Sequence, residues 1–187
     1  MATYDFDNLN NVVEGNVSKE FSGLWEANIK MALDTAPSFV MGDDEVNING
    51  ELFYITGRTK SREMGQTFLN LSLQHKLFRL EDSVVNEEYI LEDNVLGHIQ
   101  KLLTYQNDTS FSVDTDPGLT STETTNFTSP QAELEFGPGE IYEKIKEVLK
   151  KFSGRFRISG NTIYIAPQDY VESSDLSFEY SLNNKMI

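Results

Sequence analysis

Residues 45–55, EVNINGELFYI, predict a β-hairpin from which the fold can be built outward. Val46 and Ile48 precede Asn49-Gly50, and an apolar run, 52–55, follows it. Both residues of a two-residue hairpin turn take positive φ, which asparagine and glycine tolerate. The stretch therefore indicates an antiparallel sheet in the first half of the chain.

Two alternating segments flank this hairpin. From Trp25 to Leu33 the odd positions are apolar, and from Thr67 to Leu80 a row of leucines shares one face. This period of two is typical of strands with one buried face. The second segment would span about 45 Å if it were unbroken, so we expect a bend in it. The polar residues from Gly57 to Gly65 predict a loop.

A helical period begins near residue 95. Apolar residues there recur at i, i+1, i+4, i+7 and i+8, which predicts a helix over 95–103 capped by Asp93 or Asn94. A short strand, Ser110 to Val113, should follow. Residues Asp114 to Pro130 are rich in Thr, Ser, Asp and Gly, which predicts an exposed loop.

A second helix is predicted after Pro138-Gly139. Its apolar stripe runs from Ile141 to Phe152, and Gly154 stands where a left-handed C-terminal cap is expected. A hairpin turning at Gly160-Asn161 should come next.

Together these elements predict an α+β, β-rich fold. We expect an antiparallel β domain over 1–90 and a smaller α+β domain with two helices and a hairpin over 91–170.

Composition excludes several classes of function. The chain has 187 residues, no cysteine and a formal net charge of −15. Disulfide scaffolds, thiolate metal sites and cysteine nucleophiles are thereby ruled out. The acidic balance argues against specific binding of nucleic acid or an anionic membrane surface.

The two histidines give weak chemical signals. His75 lies on the leucine face of its strand, and the prediction is a half-buried ring satisfied by a backbone carbonyl, because no carboxylate partner is near in sequence. His98 lies near the edge of the first helical stripe, without an HExxH motif that would indicate zinc.

The clusters of acidic residues do not indicate a metal or catalytic site. The acidic run 43–45 and the segment 114–118 suggest calcium, but Gly118 removes a side-chain ligand, so we expect an Asp-Pro-Gly turn. The pairs 87/88 and 133/135 could suggest the two carboxylates of a glycosidase, but chance pairs are expected among 30 acidic residues. No GxGxxG, P-loop or GxSxG motif occurs. We therefore predict no catalytic residues, no metal site and no cofactor.

One aromatic residue stands out as a candidate for an interface. Phe127 lies in the Thr/Ser-rich segment, and an aromatic side chain in a polar loop often marks a contact. The alternative is that the ring folds back to fill a gap.

The order of elements carries a resemblance to a known family. A strand WEANIKMAL precedes the hairpin region GDDEVNINGELFYITGRTK, and a long strand LSLQHKLFRLED follows. After the two helices come the hairpin GRFRISGNTIYI and a closing LSFEYSLNNKMI. This order resembles the N-terminal hub region of phage and prophage tail-tip proteins, the prophage endopeptidase tail or tail-associated lysin family, over roughly 21–187.

The resemblance implies a baseplate-hub-like fold and a structural function in a virion. In such a fold the domain over 1–90 would be barrel-like, and residues 171–187 would form a strand that returns to it, with the chain either truncated there or leading into further domains. A protein of this kind would be made in the bacterial cytoplasm, form a homotrimer, close the distal end of the tail tube and open for DNA passage. Its partners would be the distal tail protein ring, with the tape-measure protein and tail tube as further candidates. Any lytic domain would lie C-terminal to this region, so the chain itself is not expected to be an enzyme.

Two alternatives from other classes stay open. One is a receptor- or carbohydrate-binding module of a tail that stacks sugars on Tyr4, Phe6, Phe39 or Trp25. The other is a tail-tip enzyme that degrades peptidoglycan.

Overall fold

The computed structural model describes residues 2–9, 12–19, 25–107 and 110–170. Their contacts form two compact units, with the division after Lys76. The strand expected over 171–187 lies outside the described residues. The domain limits drawn from the sequence stay a prediction, and each unit is described by itself below.

The first unit is one curled, half-barrel sheet, which confirms the predicted β-rich fold class. The strand order is β1-β4-β5-β6-β3-β2, antiparallel except for the parallel pair β1–β4. The strands are β1 (Thr3–Asp5), β2 (Val12–Lys19), β3 (Trp25–Ala32), β4 (Glu45–Ile48), β5 (Glu51–Glu63) and β6 (Gln66–His75).

Alternation along β3 and β6 builds the core of this unit. On β3 the residues Trp25, Ala27, Ile29 and Met31 are buried while Glu26 and its even-numbered neighbours face outward. Leu69, Leu71 and Leu73 of β6 lie opposite that row and are also buried. The period of two therefore predicted the buried face correctly.

The β4–β5 turn is the predicted hairpin. Asn49 and Gly50 have φ of 54° and 85°, as a type I′ turn requires. The predicted loop from Gly57 to Gly65 is wrong, because β5 continues to Glu63 and a second tight turn follows at Met64-Gly65. A β-bulge between Ile55 and Gly57 shifts the side-chain alternation, and polar residues beyond it hid the strand.

The long alternating segment does bend. β6 ends at His75, and a 3₁₀ turn, Lys76–Leu80, buries Leu77, Phe78 and Leu80 in the second unit. A 3₁₀ turn aligns side chains three positions apart, so Leu77 and Leu80 lie on the same side of the chain and are both buried.

The described residues of the second unit form three α-helices and three small sheets. The sheets are ordered β12-β13-β9, β10-β8 and β11-β7. The elements are β7 (Val84–Val85), β8 (Tyr89–Asp93), α1 (Val95–Leu103), β9 (Ser112–Thr115), α2 (Ser121–Thr128), β10 (Ala132–Phe136), β11 (Gly139–Glu140), α3 (Ile141–Lys151), β12 (Gly154–Ser159) and β13 (Thr162–Pro167).

Two of these helices were predicted from their apolar stripes. The Asn94 side chain caps α1 by accepting a hydrogen bond from the Gly97 N–H at 3.0 Å. α1 and α3 pack on each other, and the β12–β13 hairpin turns at Gly160 as expected. The expected left-handed cap at Gly154 is wrong, since Ser153 takes the positive φ of 51°.

The predicted loop over Asp114 to Pro130 is wrong over Ser121–Thr128, which form helix α2. Its start is a capping box in which Thr120 and Glu123 satisfy each other's backbone N–H groups. Threonine-rich segments disfavour helices, which is why a loop was predicted. The spacing of Thr120 and Glu123 matches a capping box and could have indicated the start of a helix.

Phe127 of α2 packs inward, with 7% of its surface exposed. A Cβ placed on Gly154 would meet its Cζ at 2.9 Å and Leu149 Cδ2 at 3.0 Å. The absence of a side chain at Gly154 therefore makes room for this ring. The interface function suggested for Phe127 stays a prediction, while its packing stabilises the second unit.

Gly154→Ala should destabilise the protein by about 1–3 kcal/mol, because the added methyl group overpacks the Phe127 site. Chemical denaturation would measure the change. Gly137→Ala is the matched control, since a Cβ there meets nothing within 4 Å, and it should stay within about 0.5 kcal/mol of the wild type. Equal effects of the two substitutions would contradict the packing account.

Candidate interaction surfaces and buried polar groups

His75 is paired with a carboxylate inside the first unit. Its Nε2 lies 3.3 Å from Glu51 Oε2, and its ring is 1% exposed. Trp25 and Phe53 place their ring centroids 5.0 and 5.2 Å from the imidazole. The ring is fully buried, so the predicted half-burial is wrong, and β5–β6 pairing brings it a carboxylate from 24 residues away. Aromatic enclosure makes this pair a fixed part of the core.

His98 connects α1 to two neighbouring elements. Its Nε2–H donates to the carbonyl oxygen of Ala132 at 3.0 Å, and the rings of Phe136 and Phe152 lie 5.8 and 5.7 Å away. Across the described residues, no group of three or more His, Asp or Glu side chains is arranged to hold a metal ion. Its contacts give His98 a packing function.

The 114–118 segment is the turn that the sequence predicted. Asp116 accepts hydrogen bonds from the Gly118 N–H at 2.9 Å and from Arg157 Nε at 2.5 Å. Its carboxylate is 3% exposed, so the ion pair fixes the turn to β12.

Asp44 fixes the first strand of the chain to the loop before β4. Its two oxygens accept the backbone N–H groups of Val40 and Ala2, each at 2.8 Å. These two donors hold the pKa of Asp44 below its ordinary value of 3.8. Within the acidic run 43–45, Asp44 is therefore engaged by backbone N–H groups.

Tyrosines and a lysine form a cluster beside the β8–β10 pair. The rings of Tyr89 and Tyr105 stack with centroids 6.2 Å apart, and Lys101 Nζ lies 5.2 and 4.8 Å from them. The Tyr105 hydroxyl donates to Glu87, whereas the buried Tyr89 hydroxyl has no partner among the described residues. Burial, with Tyr105 and Glu87 nearby, raises the pKa of Tyr89 to about 12.

The distal β5–β6 hairpin, here called the arm (residues 58–67), carries exposed cations. Arg58, Lys60 and Arg62 share one face, and Met64 at the turn is 106% exposed. β4 pairs with β5 only as far as Tyr54. The basic residues at every second position of RTKSRE (58–63) could have indicated a cationic strand face, but the polar composition of this segment led to the prediction of a loop.

The β8–β10 pair, here called the ribbon, has an acidic outer face. Glu92 lies directly opposite Glu133, and Ile90 lies opposite Glu135. All four side chains are exposed, Ile90 by 65%. The pair 133/135 considered for glycoside chemistry therefore lies on an open surface. The alternation in AELEF could have revealed this strand.

Two aromatic residues suggested for sugar stacking lie in the core. Trp25 is 9% exposed and Phe39 is 3% exposed, with the Phe39 ring 4.7 Å from Tyr4. Neither buried ring presents a face to a sugar.

Among the described residues, no helix has the length and apolar character needed to cross a membrane. No protein-family model matches the sequence. The search of curated proteins also found no match.

Solved structures do share this fold. Prophage tail protein gp18 from Listeria monocytogenes EGD-e matches 89% of the chain with a TM-score of 0.63 at 14% identity. A tail protein from Neisseria meningitidis MC58 matches 83% with a TM-score of 0.61 at 11% identity. The matched regions are 50% and 46% of those proteins, so the chain spans about half their length.

A third structure broadens the set. The Escherichia coli c3393 protein, a type VI secretion component with structural similarity to T4 tail proteins gp27 and gp5, matches 83% of the chain and 45% of its own length. Its TM-score is 0.52 at 14% identity. The chain therefore has the fold of phage tail proteins, as its order of elements predicted.

Asp44→Asn should lower the melting temperature at neutral pH and weaken the acid dependence of stability. The lowered pKa means that Asp44 stabilises the fold above its ordinary value of 3.8, and this contribution is lost as pH falls through the folded-state pKa. Thermal unfolding from about pH 7 to about pH 2 measures it. Asp43→Asn changes an exposed neighbour and should give the same dependence of melting temperature on pH as the wild type. If the curve of Asp44→Asn runs parallel to that of the wild type, Asp44 does not stabilise the fold in its ionised form.

Tyr89→Phe should stabilise the protein by about 1 kcal/mol, because it removes a buried hydroxyl that lacks a partner. It should also reduce the loss of stability between pH 10 and 12. In that range the folded state keeps the Tyr89 proton that the unfolded state releases, so stability falls as pH rises.

Tyr105→Phe is the control for this substitution. It deletes the hydroxyl that donates to Glu87, so it should not stabilise. Denaturant unfolding of both variants gives the comparison, and destabilisation by Tyr89→Phe would show that its hydroxyl is satisfied.

Proposed function

We propose that this chain is a structural subunit of a phage or prophage tail tip. It would close the distal end of the tail tube, attach to the distal tail ring and open for DNA passage. The observation that carries the proposal is the shared fold over 83–89% of the chain with tail proteins from two bacteria and a related secretion component.

The proposed partners follow from that function. The chain would assemble as a homotrimer, bind the distal tail protein ring, and contact the tape-measure protein and tail tube. Its place would be the virion, after synthesis in the host cytoplasm. We propose no enzymatic activity, no specific nucleic acid and no membrane binding for this region, since tail proteins supply its structural parallels.

The net charge supports DNA passage in particular. With −15 per chain, a lumen lined by part of this charge would repel DNA phosphates and prevent adhesion. A neutral or basic lumen in an assembled structure would contradict this part of the proposal.

Sedimentation of the purified chain, alone and mixed with the distal tail protein encoded beside it, tests the proposal. We expect a trimer alone and a defined complex of three chains with the ring. A chain that stays monomeric and does not bind the ring would refute it. Ring binding in the absence of peptidoglycan release would separate this function from a lytic one.

A further inference from the structure

The arm is a candidate contact surface because its cations are exposed and form no ion pair with any residue that the structure describes. Lys60 and Arg62 form no ion pair within the described residues, and Arg58 makes one hydrogen bond, to the carbonyl oxygen of Phe39 at 3.1 Å. The chain has only 15 basic residues, so three at alternate positions of one strand are a local reversal of its charge. Met64 adds a fully exposed apolar side chain at the turn.

The outer face of the ribbon has the complementary character. Glu92, Glu133 and Glu135 form no ion pair among the described residues. Like charges directly opposite each other on neighbouring strands destabilise a sheet, as at Glu92 and Glu133. The exposed Ile90 lies among these carboxylates. Cations placed over this face would relieve the repulsion and cover the isoleucine.

We propose that the arm of one copy docks on the outer face of the ribbon of a second copy. The three cations of the arm would face the three carboxylates of the ribbon, and Met64 would lie near Ile90. The two surfaces are therefore complementary in charge, and each has one exposed apolar side chain. The chain carries both surfaces, which allows head-to-tail association of identical copies. The inference rests on the proposed self-association and specifies the contact that forms it.

The strength of such a contact depends on several pairs acting together. A single exposed ion pair contributes little, whereas a group of complementary charges steers association and excludes wrong partners. The attraction is screened as the Debye length shrinks from about 10 Å at 0.1 M salt to about 3 Å at 1 M. We therefore expect self-association to weaken markedly in high salt.

Charge reversal tests the contact. Lys60→Glu with Arg62→Glu reverses the arm, and Glu133→Lys with Glu135→Lys reverses the ribbon. Each variant alone should raise the dissociation constant for self-association about tenfold or more in sedimentation equilibrium. The chain with both reversals should self-associate again, and an equimolar mixture of the two single-surface variants should form mixed complexes.

Lys150→Glu with Lys151→Glu is the matched control. It changes net charge by the same amount as the arm variant, at exposed positions of α3, and should leave self-association unchanged. Circular dichroism and thermal unfolding confirm that each variant is folded.

Three results would overturn the inference. The first is a wild-type chain that stays monomeric at all concentrations. The second is unchanged association of the reversed variants. The third is aggregation of the arm variant with normal behaviour of the ribbon variant, which would assign the cations to protection of the β5 edge.

Ring binding, measured in parallel, separates this inference from the proposed function. A chain that binds the ring but loses nothing on arm reversal keeps the proposed function and refutes the contact. A chain that self-associates through the arm and the ribbon but does not bind the ring supports the contact and refutes the proposed function. Loss of ring binding alone on arm reversal would make the ring, not a second copy, the partner.

Discussion

Pairing of β5 with β6 is the constraint on which the first unit depends. It joins ten register positions from Phe53–His75 to Glu63–Gln66, and β4 and β3 attach to its two sides. Because side chains alternate on each strand, this register decides which leucines enter the core. It also places the Glu51 carboxylate beside His75. The arm is the part of the same hairpin that extends beyond β4.

In the second unit, close packing of short helices replaces a long sheet. Helices of 9 and 11 residues are marginal in isolation and become stable by burying their stripes. Gly154 lets Phe127 of α2 approach α3 and β12, and Asp116 ties the turn before α2 to Arg157. Gly154 and Phe127 are 27 positions apart, and Asp116 and Arg157 are 41 apart, so these contacts join distant parts of the second unit.

The proposed function depends on surfaces. The buried histidines are enclosed by aromatic rings, Glu133 and Glu135 lie on the open ribbon, and Asp44 and Asp116 accept backbone hydrogen bonds. The chain shares its fold with phage tail proteins, which supports the proposed function in assembly. The basic arm and acidic ribbon are the described surfaces whose charge and exposure favour a partner.

Patterns within short stretches of sequence were enough to predict the β4–β5 turn and helices α1 and α3. Asn49-Gly50 needs only its own backbone freedom to turn, and the stripes of α1 and α3 need only helical spacing. The partner of His75, the inward packing of Phe127 and the strand at Gly57 to Glu63 were decided by the tertiary structure. A bulge shifts the side-chain alternation in β5. The capping box of Thr120 and Glu123 starts a helix in a Thr-rich segment. Glu51 lies beside His75 only because of strand pairing. These outcomes depend on contacts between residues far apart in the chain, which a one-dimensional pattern does not contain.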